Sequence, residues 1–165
     1  MKAMLVWRVV LMFLLAAVSA ACGGSGGTTV SVTANEYAFQ GLAADLAPGD
    51  TTFRLENRGS EVHELHLFKL NDEVSTVTDL VGRSIDESMG MLDSVGMTMA
   101  DPGDRASFDA DLSPGRYAAV CMVPVGAHPE GGHTGHNMED MEDVAFDPNA
   151  DTHFRRGMFA EFAVG

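Results

Sequence analysis

Short segments of alternating apolar and polar side chains, separated by turn sequences, constrain this fold more than any other feature. Such alternation is typical of half-buried strands. The segments are TVSVTA, TTFRLEN, EVHELHLFKL, ASFDADL, GRYAAVCMV and GMFAEFAVG. The turn sequences between them include APGD, NRGS, DPGD and SPGR. Many short strands with little helix predict an all-β fold, either a sandwich or a barrel.

Two regions interrupt the strand pattern. Residues 71–104 begin with helical spacing from Val74 to Val81, which predicts a short helical insertion followed by a loop or a second short helix. Four methionines of this region are interpreted as gap-filling side chains rather than metal ligands: Met89, Met91, Met97 and Met99. Residues 126–151 are rich in Gly, His, Met and acidic side chains, which predicts a long mobile loop before the last strand.

The first 21 residues have the pattern of an export signal. Lys2 and Arg8 precede an apolar run that ends in small residues before Cys22. A permanent membrane helix is the alternative, but the run is shorter than the roughly 20 residues that a span needs. We therefore exclude residues 1–21 from the fold and expect an extracytoplasmic protein.

The sequence VSAAC followed by GGSGG resembles a bacterial lipoprotein processing site. This resemblance implies that Cys22 is lipidated and that residues 22–28 form a flexible Gly/Ser tether. Ser19 stands where lipoprotein signals usually carry an aliphatic residue, so ordinary cleavage with secretion or periplasmic release remains open. Any attachment to the membrane is then expected through the lipid anchor alone.

Residues 29–165 are enough for one domain with a real core. After the signal, eight Lys and Arg face 24 acidic residues, so the formal charge is 8 minus 24, or about −16. No basic patch is available to neutralise phosphates, which excludes nucleic acid as a partner. The acidity favours a soluble surface and a basic protein partner.

Four side chains combine into a recognisable ligand set. His63 has the parity of the apolar face of its strand, Cys121 ends a strand, and His153 and Met158 flank an Arg-Arg-Gly turn. Taken singly, these are ordinary core residues, and a disulfide from Cys22 to Cys121 is an alternative for the thiol. Together, two imidazoles, a thiolate and a weak axial thioether are the ligands of a blue copper site. Zinc usually takes more thiolates or a carboxylate.

With these four residues in the order His, Cys, His, Met, the chain from Thr29 to Gly165 resembles the cupredoxin family of blue copper proteins. The motifs that carry the resemblance are ENRGSEVHEL, LSPGRYAAVC and HFRRGM. The family implies a Greek-key β-sandwich with one copper at one end and one-electron exchange with a protein partner. An enzyme is not expected, because no open ligand position or nucleophile and base pair stands out.

Two features depart from the family pattern. His153 follows Cys121 by 32 residues, whereas the family places these two ligands only a few residues apart. Glu64 stands where the family often has Asn, so the hydrogen bonds around the ligands must differ. His66 has the opposite parity to His63 and is predicted to lie on the surface.

The long loop contains a second group of potential ligands. They are His128, His133, His136, Met138 and Met141. Imidazole and thioether suit copper, so one alternative function is copper delivery or storage through a copper-exchange partner. His133 and Met138 also repeat the His-x4-Met spacing and are alternative ligands for the core site. A third alternative is a metal-free adhesion or assembly module, in which the histidines and cysteine lie more than about 6 Å apart.

Overall fold

The computed structural model describes residues 27–74, 76–84, 87–88, 90–127 and 150–165. A 3₁₀ helix covers Val77–Leu80. The strands in chain order are β1 (Thr28–Asn35), β2 (Ala38–Gln40), β3 (Asp45–Leu46), β4 (Gly49–Asn57), β5 (His63–Leu70), β6 (Leu92–Ala100), β7 (Arg105–Leu112), β8 (Gly115–Val120) and β9 (Phe159–Val164). Each of the six alternating sequence segments contributes to one of these strands.

The strands form two sheets that pack face to face. One sheet has the order β2-β1-β4-β7, and the other has the order β3-β9-β8-β5-β6. Both sheets are mixed, because β1 runs parallel to β4 and β3 runs parallel to β9, while the other pairs are antiparallel. This arrangement confirms the predicted all-β sandwich.

The main core lies between the two sheets and is built by the inward-facing side chains that the alternation predicts. It includes Val32, Phe53, Leu55, Leu65, Leu67, Leu112, Tyr117 and Phe162. Full burial of one such side chain stabilises the fold by roughly 1.5–3 kcal/mol. Cys121 and Met158 belong to the same cluster, so the predicted ligands are continuous with the core.

A second apolar cluster covers the outer face of the larger sheet. Its buried members are Phe68, Leu70, Val74, Val77, Leu80, Ala118, Val120 and Phe154. The segment after β5 folds back over this face, and its 3₁₀ helix contributes Val77 and Leu80. Strands β5 and β8 are therefore buried on both faces, which explains why their sequences are apolar with little interruption.

The region 71–104 is only partly helical, which corrects the prediction for its second half. Met97 and Met99 lie in β6, where they pair with His66 and Glu64 of β5. The strand was missed because its buried positions, Thr98 and Ala100, are weakly apolar. A register shift between Leu67 and Phe68 further disrupts the pattern at this edge of the sheet.

Strand β1 runs the length of the first sheet. It begins at Thr28, opposite Thr51 near the start of β4, and reaches Asn35 at the other end. The turn that follows it carries Glu36 and Tyr37. Among the described non-glycine residues, Tyr37 has a left-handed backbone conformation, with φ 60°. This turn lies at the end of the sandwich where the histidines are found, because the Tyr37 ring packs edge-on against His153 with centroids 5.3 Å apart.

Candidate metal centre

His63 and Cys121 are positioned by adjacent strands of the larger sheet. His63 is the first residue of β5, and Cys121 directly follows the last residue of β8. Strands β5 and β8 are antiparallel neighbours, so the start of one meets the end of the other. Both side chains are completely buried.

His153 and Met158 are held by a tight turn that leads into β9. The Met158 N–H donates to the carbonyl of His153 at 2.9 Å, and the Cys121 N–H donates to the carbonyl of Met158 at 3.2 Å. Gly157 has φ 99°, a left-handed conformation that a side chain would disfavour. His153 and Met158 are both completely buried. The turn thus fixes both residues beside Cys121.

Three donor atoms converge in this buried space. Nδ1 of His63 lies 3.1 Å from Nδ1 of His153, and the Cys121 sulfur lies 3.9 Å from the first and 3.3 Å from the second. These three residues are the single group in the described ranges whose ligand atoms meet in the way a metal ion requires. Convergence of two imidazoles and a thiol is hard to explain by apolar packing alone, because burial of unpaired polar atoms is unfavourable.

Burial also controls the protonation of these donors. Desolvation, with repulsion from His153, lowers the pKa of His63 to about 4, so its imidazole is neutral at pH 7. Desolvation, with the nearby charge of Glu64, raises the pKa of Cys121 well above its usual range. The thiol therefore keeps its proton until a cation replaces it.

The long excursion between Cys121 and His153 is closed at its base by main-chain hydrogen bonds. The Val125 N–H donates to Asp151 at 2.8 Å, the His153 N–H donates to Val123 at 2.9 Å, and Pro124 bridges to Thr152. The Phe154 N–H then donates to the carbonyl of Cys121 at 2.7 Å. This pairing holds His153 beside Cys121 however long the intervening chain is.

Glu64 links the two ligand strands as a hydrogen-bond acceptor. Its carboxylate accepts the Met122 N–H at 3.0 Å, and its own N–H donates to the Cys121 sulfur at 3.3 Å. Glu64 is almost completely buried, and its other oxygen contacts His66 at 3.1 Å. Because Glu64 stands where the family often has Asn, the sequence predicted different hydrogen bonds around the ligands. In the structure the Glu64 side chain joins the two ligand strands by accepting a hydrogen bond.

Glu61 contacts the far side of the second imidazole. Its Oε2 lies 2.9 Å from Nε2 of His153 and accepts the Gly126 N–H at 2.6 Å. The hydrogen bond from His153 lowers the pKa of Glu61 most, and the hydrogen bond from the Gly126 N–H lowers it further. The Glu61 side chain is therefore a carboxylate. Sequence reasoning missed this residue, since a lone Glu in a turn carries no pattern. Its position two residues before His63 was the available signal.

Comparison with solved structures places this geometry in a known architecture. Auracyanin A from Chloroflexus aurantiacus, described as a "blue" copper protein, superposes with a TM-score of 0.50 at 15% identity, covering 85% of this chain and all of that chain. The chain has the cupredoxin fold.

Two further auracyanins are similar to this cupredoxin-fold chain. Sodium dithionite-reduced auracyanin from Roseiflexus castenholzii has a TM-score of 0.49 at 16% identity, covering 84% of this chain and 98% of that one. Auracyanin B has a TM-score of 0.48 at 17% identity, covering 84% and 88%. No protein-family model and no curated protein matches the sequence.

Within the cupredoxin fold, His66 is not where the sequence placed it. The prediction of a surface residue is wrong, because the side chain is buried on the outer face of the sheet. Its ring stacks on Phe68 at 3.9 Å between centroids, and its nitrogens contact Glu64 at 3.1 Å and Ser94 at 2.8 Å. These contacts remove the imidazole from solvent without bringing it to the donors.

Several predicted residues lie outside the described ranges. They are Cys22 and the loop residues His128, His133, His136, Met138 and Met141. Cys121 is a free thiol in the structure. Among the residues that are described, no helix is both long and apolar enough to span a membrane.

Proposed function

We propose that this chain binds one copper ion through His63, Cys121 and His153, with the Met158 thioether as a fourth and weaker ligand, and exchanges single electrons with a redox protein. The observation that carries the proposal is the convergence of two Nδ1 atoms and one sulfur in completely buried space. Two imidazoles, a thiolate and a thioether are the ligand set of a blue copper site. The likeness of the fold to auracyanin A, a "blue" copper protein, supports the same choice.

The spacing of the donors fits a small trigonal metal. Bonds of about 2.0 Å to nitrogen and about 2.3 Å to sulfur would separate the ligand atoms by about 3.5–3.7 Å in a trigonal site. The observed separations of 3.1, 3.3 and 3.9 Å bracket these values. Little movement is then needed on binding, so the protein part of the site is preorganised.

Electron transfer suits this arrangement better than substrate turnover. A bound copper would supply the one-electron couple, and the residues around it hold the donors in place and exclude water. His63, Cys121 and His153 are all completely buried, which favours electron exchange through the protein over direct contact between a substrate and the metal. The acidic chain favours a basic protein as the redox partner.

We also propose that the protein works outside the cytoplasm. The export pattern in residues 1–21 supports this location, as does the lipoprotein-like sequence around Cys22. Acylation of Cys22 would tether the domain to the cell membrane, and cleavage without acylation would release it. Mass spectrometry of the protein isolated from its native cells distinguishes the acylated form from the released form.

The proposed function is tested with copper and the domain of residues 29–165. The wild-type protein loaded with Cu(II) should show intense visible absorption from thiolate-to-copper charge transfer. Cys121→Ser should abolish that absorption, because oxygen replaces the sulfur, while Met97→Leu in β6 should retain it. A colourless wild-type protein with weak copper binding would refute the proposal.

A second candidate function is copper delivery through the long loop. It is favoured by the closed base of the loop, which lets the segment bind metal without disturbing the core donors. It predicts more than one copper per chain, with the extra binding lost on deletion of residues 128–141. A stoichiometry of one in both proteins would reject it.

The metal-free module has less support than either copper function. It requires the ligand atoms of His63, Cys121 and His153 to lie more than about 6 Å apart. They lie between 3.1 and 3.9 Å apart instead.

A further inference from the structure

The two imidazoles of the site have different environments on the side away from the donors. Nε2 of His153 lies 2.9 Å from the Glu61 carboxylate. Nε2 of His63, in contrast, is the one buried side-chain nitrogen or oxygen of the described residues without a hydrogen-bond partner. The two histidines are therefore chemically unequal, although they supply the same type of atom.

The contact with Glu61 determines which nitrogen of the His153 imidazole carries the proton and which has a lone pair available for a metal. A carboxylate only accepts hydrogen bonds, so Nε2 of His153 carries the proton that it donates. In a neutral imidazole the other nitrogen then has a lone pair, and Nδ1 faces the Cys121 sulfur at 3.3 Å. A carboxylate behind a metal-bound histidine is a known way to fix the tautomer and raise the basicity of the ligand.

The ring of His153 is also held in orientation. Glu61 itself is fixed, because the same oxygen accepts the Gly126 N–H at the start of the long loop. The half-buried Tyr37 ring packs against the imidazole at 72° with centroids 5.3 Å apart. The Glu61 side chain is only 14% exposed and that of His153 is fully buried, so solvent screens the carboxylate weakly.

We propose that Glu61 is a positioning residue of the copper centre: it presents Nδ1 of His153 to the metal and, through its negative charge, favours Cu(II) over Cu(I). The inference rests on the proposed copper function. Its physical basis is that the oxidised ion carries one more positive charge, and a nearby anion stabilises it more. Glu61 thus lowers the reduction potential of the site.

The variant Glu61→Gln tests this assignment, with Glu56→Gln as its control. Both changes remove one negative charge, but Glu56 contacts Arg58 and Arg105 rather than an imidazole. In copper-loaded protein, Glu61→Gln should weaken Cu(II) binding by about 10–100-fold. The loss for Cu(I) should be smaller. Each tenfold change in the ratio of the two affinities raises the potential by about 59 mV, measured by direct electrochemistry.

A second measurement needs no copper. In the ¹⁵N NMR spectrum of the metal-free wild-type protein, His153 should be the tautomer with its proton on Nε2, and Glu61→Gln should weaken that preference. If the variant does not fold, the wild-type spectrum alone decides. A proton on Nδ1 of neutral His153 would overturn the proposal.

The outcomes separate this inference from the function on which it rests. A wild-type protein that binds no copper refutes the proposed function and leaves the NMR result to judge Glu61. A blue wild-type protein whose potential is unchanged by Glu61→Gln, or equally shifted by Glu56→Gln, refutes the role of Glu61. A shift confined to Glu61→Gln supports it.

Discussion

Gly59 allows the chain to approach the first histidine closely. A Cβ atom at this position would lie 2.6 Å from Nε2 of His63 and 2.6 Å from Oε1 of Glu36. Glu36 is itself held by hydrogen bonds from the N–H and the hydroxyl of Ser60, which also lower the pKa of Glu36 to about 2. Neither neighbour can move away freely, so glycine is required here for space.

We therefore expect Gly59→Ala to displace the imidazole of His63. Overpacking of this kind costs about 1–3 kcal/mol, and the copper site should bind more weakly with an altered visible band. Gly82→Ala is the matched control, since its added Cβ meets nothing within 4 Å. Thermal unfolding and copper titration of both variants check the prediction. Equal behaviour of the two would contradict it.

At the same scale, the sequence predicted His63, Cys121, His153 and Met158 as ligands, because their types and order match a known ligand set. The structure brings the donor atoms of His63, Cys121 and His153 together. Glu61 and the burial of His66 were missed, because both depend on contacts between segments distant in sequence. Only the fold brings those segments together.

At the scale of elements, main-chain pairing at the base of the long loop holds the second histidine in place. Residues 123–125 pair with 151–153, and this pairing sets the position of His153. The sequence separation of 32 residues between Cys121 and His153 does not reveal this pairing, because spacing alone does not show where a loop is closed.

Replacing residues 128–149 with a short glycine linker should leave the visible spectrum and reduction potential of the copper-loaded protein unchanged. Shortening the loop also reduces its closure entropy, although each halving contributes only about 0.6 kcal/mol. Spectroscopy and electrochemistry on the shortened chain test this expectation. As a control, Val125→Pro should perturb the site. Proline at 125 removes an N–H that donates at the base. Loss of the blue band on shortening alone would show that the segment itself holds the ligands, as the pair His133 and Met138 would require.

At the same scale, strand prediction succeeded for strands with one buried face and failed for β6, in which most side chains are only partly buried. Strands β1, β4 and β7 alternate clearly because one side faces the core. Strand β6 does not, since its partly buried side chains include small and polar residues. Alternation in a sequence reflects the alternation of buried and exposed side chains along a strand. Because β6 lies at the edge of its sheet and pairs with a register shift, its side chains show little such alternation.

At the scale of the whole molecule, the sheet that carries His63 and Cys121 has a core on each face. The donors lie on the side of the main core, and the second cluster packs on the opposite side. Global stability and the geometry of the site therefore depend on partly separate sets of contacts.

Leu80→Ala should separate these two properties. Leu80 is completely buried in the second cluster, and a Leu to Ala change in a core costs about 2–5 kcal/mol. We expect a lower midpoint of chemical unfolding with the visible spectrum of the copper-loaded protein retained. The partly buried neighbour Val81, changed to Ala, should cost less. A spectral change in Leu80→Ala would show that the two cores are coupled.

The direction of β1 determines how far the histidine end of the domain would lie from a membrane attachment point. Its first residue, Thr28, and the turn with Tyr37 lie at opposite ends of a strand of eight residues, a separation of about 26 Å. A protein anchored through residues 22–28 would therefore be attached at the end of β1 away from the histidines. The histidine end would be the part of the domain farther from the attachment point, and the tether would leave it accessible to a partner that diffuses alongside the membrane.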